Sequence, residues 1–291
     1  MLIILKDALT DAVVDTAKLI PFLLITYIIM EYLERKMGEK SADMLSRVGH
    51  RGPLFGGLVG VVPQCGFSAS AASLYSGGLI SVGTLLAVFL STSDEMLPIF
   101  ISEQVSIPTI LSVLGTKALL GIISGLGVDF LLRFTKYRHK TEKHIRDLCE
   151  EEHGSESEEH GVFYEACVHT LHITVFVFLI TLILTILVEG LGEGAIAGFL
   201  TNRPVFGVFL AALIGLIPNC AASVTITQLY LDQMLSAGQM MAGLLVGAGV
   251  GLLVLFRTNK KHLSENLKVT AMLYVIGVFW GLVIELSGLR F

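Results

Sequence analysis

The sequence is poor in charge. Only 15% of its 291 residues are Asp, Glu, Lys or Arg, against 53% hydrophobic, a balance found in polytopic membrane proteins rather than in soluble domains of this length. It holds four cysteines, in no disulfide-framework spacing, so a stapled extracellular scaffold is excluded. A phosphate loop, H-E-x-x-H, G-x-S-x-G and the Rossmann glycine pattern are all missing. Their absence argues against nucleotide hydrolysis and the chemistries those motifs serve, and the chain reads as a non-enzyme without a cofactor. A formal net charge of −5 argues against a nucleic-acid partner. The start, MLIILKDALTDAVVDTAK, has acidic residues early and no small-residue cleavage pattern, so no cleavable signal peptide is expected.

What the chain has instead is long apolar runs. A helix needs about 20 apolar residues to cross the hydrocarbon core, and runs of that size lie at about 13–34, 79–101, 108–134, 163–188, 237–256 and 268–289. Six crossings are the minimum. Between them stand shorter apolar pieces, 52–62 with 66–78 and 205–217 with 221–232, each pair split by a polar Pro-x-Cys. Loosened backbone at that depth is tolerated only where it is buried in protein or faces a wet cavity, so each pair reads as a re-entrant hairpin of two half-helices. Pro63, Gly66 and Pro218 mark the helix breaks.

The two breaks are one motif written twice. Pro218 stands 155 residues after Pro63, and the same offset relates Gly60 to Gly215, Cys65 to Cys220, Ser68 to Ser223, Tyr75 to Tyr230, Ser81 to Ser236 and Gly83 to Gly238. The fold class expected is an all-α polytopic membrane protein made of two repeats. Residues 1–134 form the first repeat, 135–162 a charged linker and 163–291 the second repeat.

Loop charge orients the copies, because cytoplasmic loops collect Lys and Arg. The loop after the first helix holds Arg35, Lys36, Lys40, Arg47 and Arg51, whereas its counterpart 189–204 holds only Arg203; the later connections, 102–107 and 257–268, show the opposite bias. Equivalent loops on opposite faces require an odd number of crossings per copy. Three crossings and a hairpin satisfy that count, and so do five short membrane helices. Both readings make the repeats inverted, with the linker cytoplasmic and both termini outside. Inverted repeats with discontinuous helices meeting near the midplane are the architecture of many secondary transporters, which implies alternating access to one central site.

Candidate site residues follow from that geometry. The hairpin tips would present Gln64, Cys65 and Ser68 from one side and Asn219, Cys220 and Ser223 from the other. Paired thiols suit soft metals, while Mn²⁺ prefers oxygen; small apolar filling beside a helix break is the plainer role for a cysteine. Asp94 and Glu95 lie inside an apolar run, in Ser91-Thr-Ser-Asp-Glu-Met-Leu-Pro98, where the second copy has Val246-Gly-Ala-Gly-Val-Gly251. Intramembrane carboxylates mark ion pathways or proton relays. Asp94 is therefore the first candidate for cation coordination or coupling, with Glu95, Ser91 and Ser93 beside it; an outer-interface position facing solvent is the alternative. Lys117, deep in the run 108–134, needs a partner, and Asp94 is the candidate. Asp129 reads as a boundary residue. In and near the linker, His139, His144, His153 and His160 with Cys149, Cys167, His169 and His172 invite a metal-capture reading, but their spacing fits no compact zinc motif and a flexible charged connection explains the composition.

The run VVPQCGFSASAASLYSGGLISVGTLLAVFLSTSDEMLPI, with the later IPNCAASVTITQLY, resembles the ten-helix heavy-metal exporter family, grouped with arsenical efflux permeases and sometimes labelled as manganese transporters. The resemblance implies efflux of a metal or metalloid across a prokaryotic inner membrane, with Pro63, Gln64, Cys65, Gly66, Ser68, Asp94, Glu95, Pro218, Asn219, Cys220 and Ser223 at the matching positions. Ten helices would count each half-hairpin separately. Lipid, a small ion or metalloid, a coupling proton and a second copy of the chain are the partners expected. A transporter of a small organic or anionic solute, held by hairpin amides and half-helix N-termini with Lys117, is the competing class. Single cysteines placed in 40–47 and in 193–200 should react with impermeant thiol reagents from opposite faces of the membrane; labelling from one face would overturn the inverted arrangement.

Overall fold

The computed structural model describes residues 52–63, 65–93, 96–134, 162–191, 204–218, 220–289 and 291, together with scattered helical positions between 9 and 28. The elements are α1 (Gly52–Gly60), α2 (Cys65–Ser76), α3 (Val82–Ser91), α4 (Met96–Ser102), α5 (Ile107–Phe134), α6 (Val162–Leu191), α7 (Pro204–Gly215), α8 (Cys220–Leu231), α9 (Ala237–Val246), α10 (Val250–Thr258) and α11 (Leu263–Ser287), with a 3₁₀ turn at Lys260–His262 before the last. The described residues are all-helical, and four stretches are long and apolar enough to cross a membrane: Val82–Ser102, Ile107–Leu132, Ala237–Thr258 and Lys260–Ser287.

The helix bounds carry the 155-residue offset of the sequence. Cys65–Ser76 maps onto Cys220–Leu231, and Val82–Ser91 onto Ala237–Val246, residue for residue. Packing repeats as well: α1, α3 and α5 form one three-helix unit, and α7, α9 and α11 form the other. In the first, Gly52 faces Thr84, Gly56 faces Thr84 and Val88, and Gly60 faces Val88 and Ser91, so α1 and α3 run in parallel. Gly121 and Gly125 of α5 meet Ala87 and Gly83 in the reverse order, so α5 is antiparallel to both.

The packing follows the logic of lipid rather than of water. In α1 the buried side is Pro53, Gly56, Gly57 and Gly60, while Leu54, Phe55, Leu58 and Val59 point outward. With hydrocarbon outside there is no hydrophobic gain in turning Phe inward, and close backbone approach through small residues holds helices together instead. The central helices are apolar on every face: α3 buries Gly83 through Ser91 without exception, as expected of an element enclosed on all sides. Burial reaches 75% and 78% along the spans built on α3 and α9, against 44% and 33% along α5 and α11, which places the first two at the centre and the others at the lipid boundary.

Two expectations need correction. The runs at 79–101 and 237–256 read from sequence as unbroken crossings, but both are interrupted. After Ser91 the hydroxyl of Thr92 donates to the Val88 carbonyl at 2.8 Å and that of Ser93 to the Ser91 carbonyl at 3.0 Å, local bonds that compete with helix continuation. After Val246 the chain passes through Gly247-Ala248-Gly249, with Gly249 at φ +53°, a conformation that glycine adopts without the Cβ penalty. Hydropathy averages over such short breaks, so it missed them.

Gly215 leaves no room for a side chain, since a Cβ there would lie 2.9 Å from the carbonyl carbon and 3.0 Å from the Cα of Gly243. Gly215→Leu should lower thermal stability in detergent by about 3 kcal/mol. Gly127 has open space around it, so Gly127→Ala should be neutral or stabilising by up to about 1 kcal/mol.

Candidate functional site

The two central half-helices, α3 and α9, end at one point. An α-helix leaves its last carbonyls without intrahelical partners, and in a protein interior these must find donors. Lys117 of α5 supplies them. Its Nζ donates to the carbonyl of Thr92, the C-cap of α3, and at 3.0 Å to that of Leu244 in the last turn of α9. The side chain is 1% exposed. One cation from the first copy thus joins the ends of half-helices from both copies, where aligned peptide dipoles place partial negative charge.

The opposite ends of α3 and α9 are held by carboxylates. The Ser81 hydroxyl, N-cap of α3, donates to Asp129 Oδ2 at 2.6 Å, and the Gly83 N–H donates to Asp129 Oδ1 at 2.8 Å. In the second copy the Ser236 hydroxyl, N-cap of α9, donates to Glu285 of α11, and Gln239 completes a capping box with Ser236. Each central half-helix therefore carries an acid at its N-terminus and shares a base at its C-terminus, the arrangement that complements its dipole at both ends. Asp129 is a capping ligand rather than a simple boundary residue. Glu285 escaped the sequence reading because it lies 49 residues after its serine whereas Asp129 lies 48 after its own; the single-residue shift removes it from the constant offset.

The second pair of half-helices crosses between copies. Gly251 at the start of α10 fits against Ser68 near the start of α2; a Cβ on Gly251 would come within 2.9 Å of Ser68 Cβ and 2.8 Å of a Phe89 ring carbon. At the other ends Ser76 Oγ and Thr258 Oγ1 are 2.6 Å apart. The helices α2 and α10 thus run in parallel, first copy against second, and α8 packs on α4 in the complementary exchange. Trp280 Nε1 of α11 donates to Ser124 Oγ of α5 at 2.8 Å, a further bond between copies.

The sequence candidates distribute around this centre as follows. Ser91, Ser93 and Lys117 gather at the end of α3, all buried. The Ser91 hydroxyl lies beside Gly60 and Gly121 and, among the described residues, is buried without a hydrogen-bond partner. Ser68 is buried against Gly251 and Phe89, and Gly66 is buried in the first turn of α2. Ser223 is half-buried, its carbonyl accepting from Thr227 Oγ1 at 2.7 Å. Pro63 is exposed and Pro218 half-buried, each in a non-helical stretch between half-helices. Gln64, Asn219, Asp94 and Glu95 lie outside the described residues, and so do the side chains of Cys65 and Cys220, whose backbones open α2 and α8. The expected Lys117–Asp94 pair therefore lies outside the described residues; among those described, Lys117 donates to the two carbonyls, which sequence reasoning did not consider because it left α3 and α9 unbroken. Of the linker 135–162, all but Val162, which opens α6, is likewise outside. On α6, Cys167 is half-buried and His172 exposed, and no group of three His, Cys, Asp or Glu residues gathers among the described residues.

Comparison with known proteins adds one match. The family model described as "Putative, 10TM heavy-metal exporter" matches residues 3–190, more than half of the chain, including the first Pro-x-Cys break and Ser91 to Lys117. No curated protein and no solved structure matches.

The carboxylate cap is testable by a double-mutant cycle. Asp129→Asn should cost about 1–2 kcal/mol of stability. Adding Ser81→Ala to it should cost less than Ser81→Ala alone, because the shared bond is lost once.

Proposed function

We propose that this chain, which belongs to the ten-helix heavy-metal exporter family, is a secondary transporter that carries a heavy-metal or metalloid ion out of the cell by alternating access between two inverted repeats. The observation that carries the reading is the parallel pairing of α2 with α10. The helix α2 ends within five residues of the start of α3, and α10 ends within four of the start of α11. Because α11 is antiparallel to α9, with Glu285 beside Ser236, α10 points away from the side on which α9 begins. Its parallel neighbour α2 points toward the side on which α3 begins. The two copies then start on opposite faces, which supports inversion and a re-entrant path through α1 and α2.

On this reading the cargo meets the helix breaks near the middle of the bilayer. Gln64, Cys65, Ser68, Asn219, Cys220 and Ser223 approach it from the hairpin tips. Asp94, Glu95, Ser91 and Ser93 line the broken end of α3 and serve cation coordination or proton coupling, and the buried Ser91 hydroxyl is an oxygen ligand in waiting. The location is a prokaryotic inner membrane, with the linker cytoplasmic, both termini outside and a homodimer as the working form. The adjoining N-termini of α2 and α10 near the same centre favour the second reading, an anionic or small organic solute.

Replacing Cys65 and Cys220 together by Ser should abolish export of arsenite or another soft metal from everted vesicles while leaving folding intact. Retained soft-metal export with loss on Asp94→Asn points to an oxygen-bound ion such as Mn²⁺. Export of carboxylates or phosphate in the same vesicle panel, with no metal movement, would overturn the metal assignment.

A further inference from the structure

Lys117 occupies a place that in other respects is built for an ion. Two helix C-termini converge there, each carrying about half a negative elementary charge, and their sum asks for one positive charge. Among the described residues, the oxygens that accept from Lys117 include the carbonyls of Thr92 and Leu244. The Ser91 hydroxyl, in the same turn of α3, faces Gly121 instead and takes no part in this pair of carbonyls. Oxygens of this kind, on unwound backbone and half-helix C-terminal ends, coordinate alkali cations in transporters with broken helices. Asp94 and Glu95, the titratable groups that follow Ser93, lie outside the described residues; Gly247, Ala248 and Gly249 bring no ionisable side chain from the α9 side.

The site is single although the scaffold is duplicated. The counterpart of Lys117 at the 155-residue offset is Met272, an apolar side chain in α11. One ammonium therefore serves both broken helices, and the charge requirement of the second copy is met by a residue of the first. A lysine kept for local packing would need only its own helix as neighbour. This one reaches across the boundary between the repeats, where a free cation would have to sit to hold both ends at once.

We propose that the carbonyls of Thr92 and Leu244 form a monovalent-cation site whose resident occupant is the tethered ammonium of Lys117, so that the chain carries its own positive charge where other transporters with broken helices bind a free alkali ion. The inference rests on the reading of the helix breaks as the transport centre, but its readout is cation-specific stability rather than export, so the two can fail separately. Removing the side chain but not the oxygens leaves a vacancy that a small cation can fill.

The test is thermal unfolding of purified Lys117→Ala in detergent, at equal ionic strength, in choline, sodium, potassium or ethylammonium chloride. In choline, too large to enter, the variant should melt about 5–10 °C below the wild type. Sodium, potassium or ethylammonium should restore about half of that loss or more, saturably, while the wild type responds to none of them. Lys117→Ser, with a smaller apolar gap, should show the same cation-dependent recovery. If both variants melt alike in all four salts, or remain unfolded in all of them, the site is not a cation site and the proposal falls. If the cation recovery is present and metal export by the wild type is absent, the proposal stands and the transport reading fails.

Discussion

The convergence of two helix C-termini on one buried ammonium is the constraint around which the described structure is arranged. Both central spans are broken, and both breaks release carbonyls in a region three-quarters or more enclosed by protein. Within lipid no water is at hand to satisfy them, and each unsatisfied group costs several kcal/mol. Lys117 meets the need at Thr92 and Leu244 together. For that to happen α3 and α9 must end side by side, α5 must lie along α3 in register, and the two copies must interlock. The glycines of α1 and α7 allow the first, Asp129 fixes the second, and the exchange of α2 and α10 gives the third.

The structure is symmetric in scaffold and asymmetric in chemistry. Two helix pairs share bounds, the Ser81 and Ser236 caps match, and glycine contacts repeat, as with Gly60 against Val88 and Gly215 against Gly243. At the breaks the copies part company. One interrupts its central helix at the hydroxyls of Thr92 and Ser93, the other at glycines; one supplies Lys117, the other has Met272 in its place. The shared features are those that close packing in a bilayer demands of any copy. The unshared ones sit where charge is handled, which is the expected place for a duplicated scaffold to specialise.

Much of the fold was legible in the residues, for physical reasons that can be named. Twenty-residue apolar runs separated by charge read as membrane spans, four of which the described residues carry, and Pro-Gln-Cys repeated as Pro-Asn-Cys gives a constant offset that survives in the bounds of two helix pairs. The Ser81 and Ser236 caps were visible as paired serines, though not their carboxylates, since a bond between residues nearly fifty apart depends on how α5 and α11 lie. The breaks at Thr92–Ser93 and Gly247–Gly249 were hidden because hydropathy counts apolar residues and is blind to where backbone bonds are exchanged for side-chain ones.

The sequence by itself determined the membrane class, the repeated motif at a constant offset and the polar residues that must be accounted for among the apolar runs, because each follows from composition or spacing. Only the tertiary structure decided which oxygens Lys117 answers to, that Asp129 and Glu285 hold the far ends of the same helices, and that α2 of one copy lies along α10 of the other. Those facts depend on distances between segments far apart in the chain, and such distances are set by packing, which no local pattern encodes.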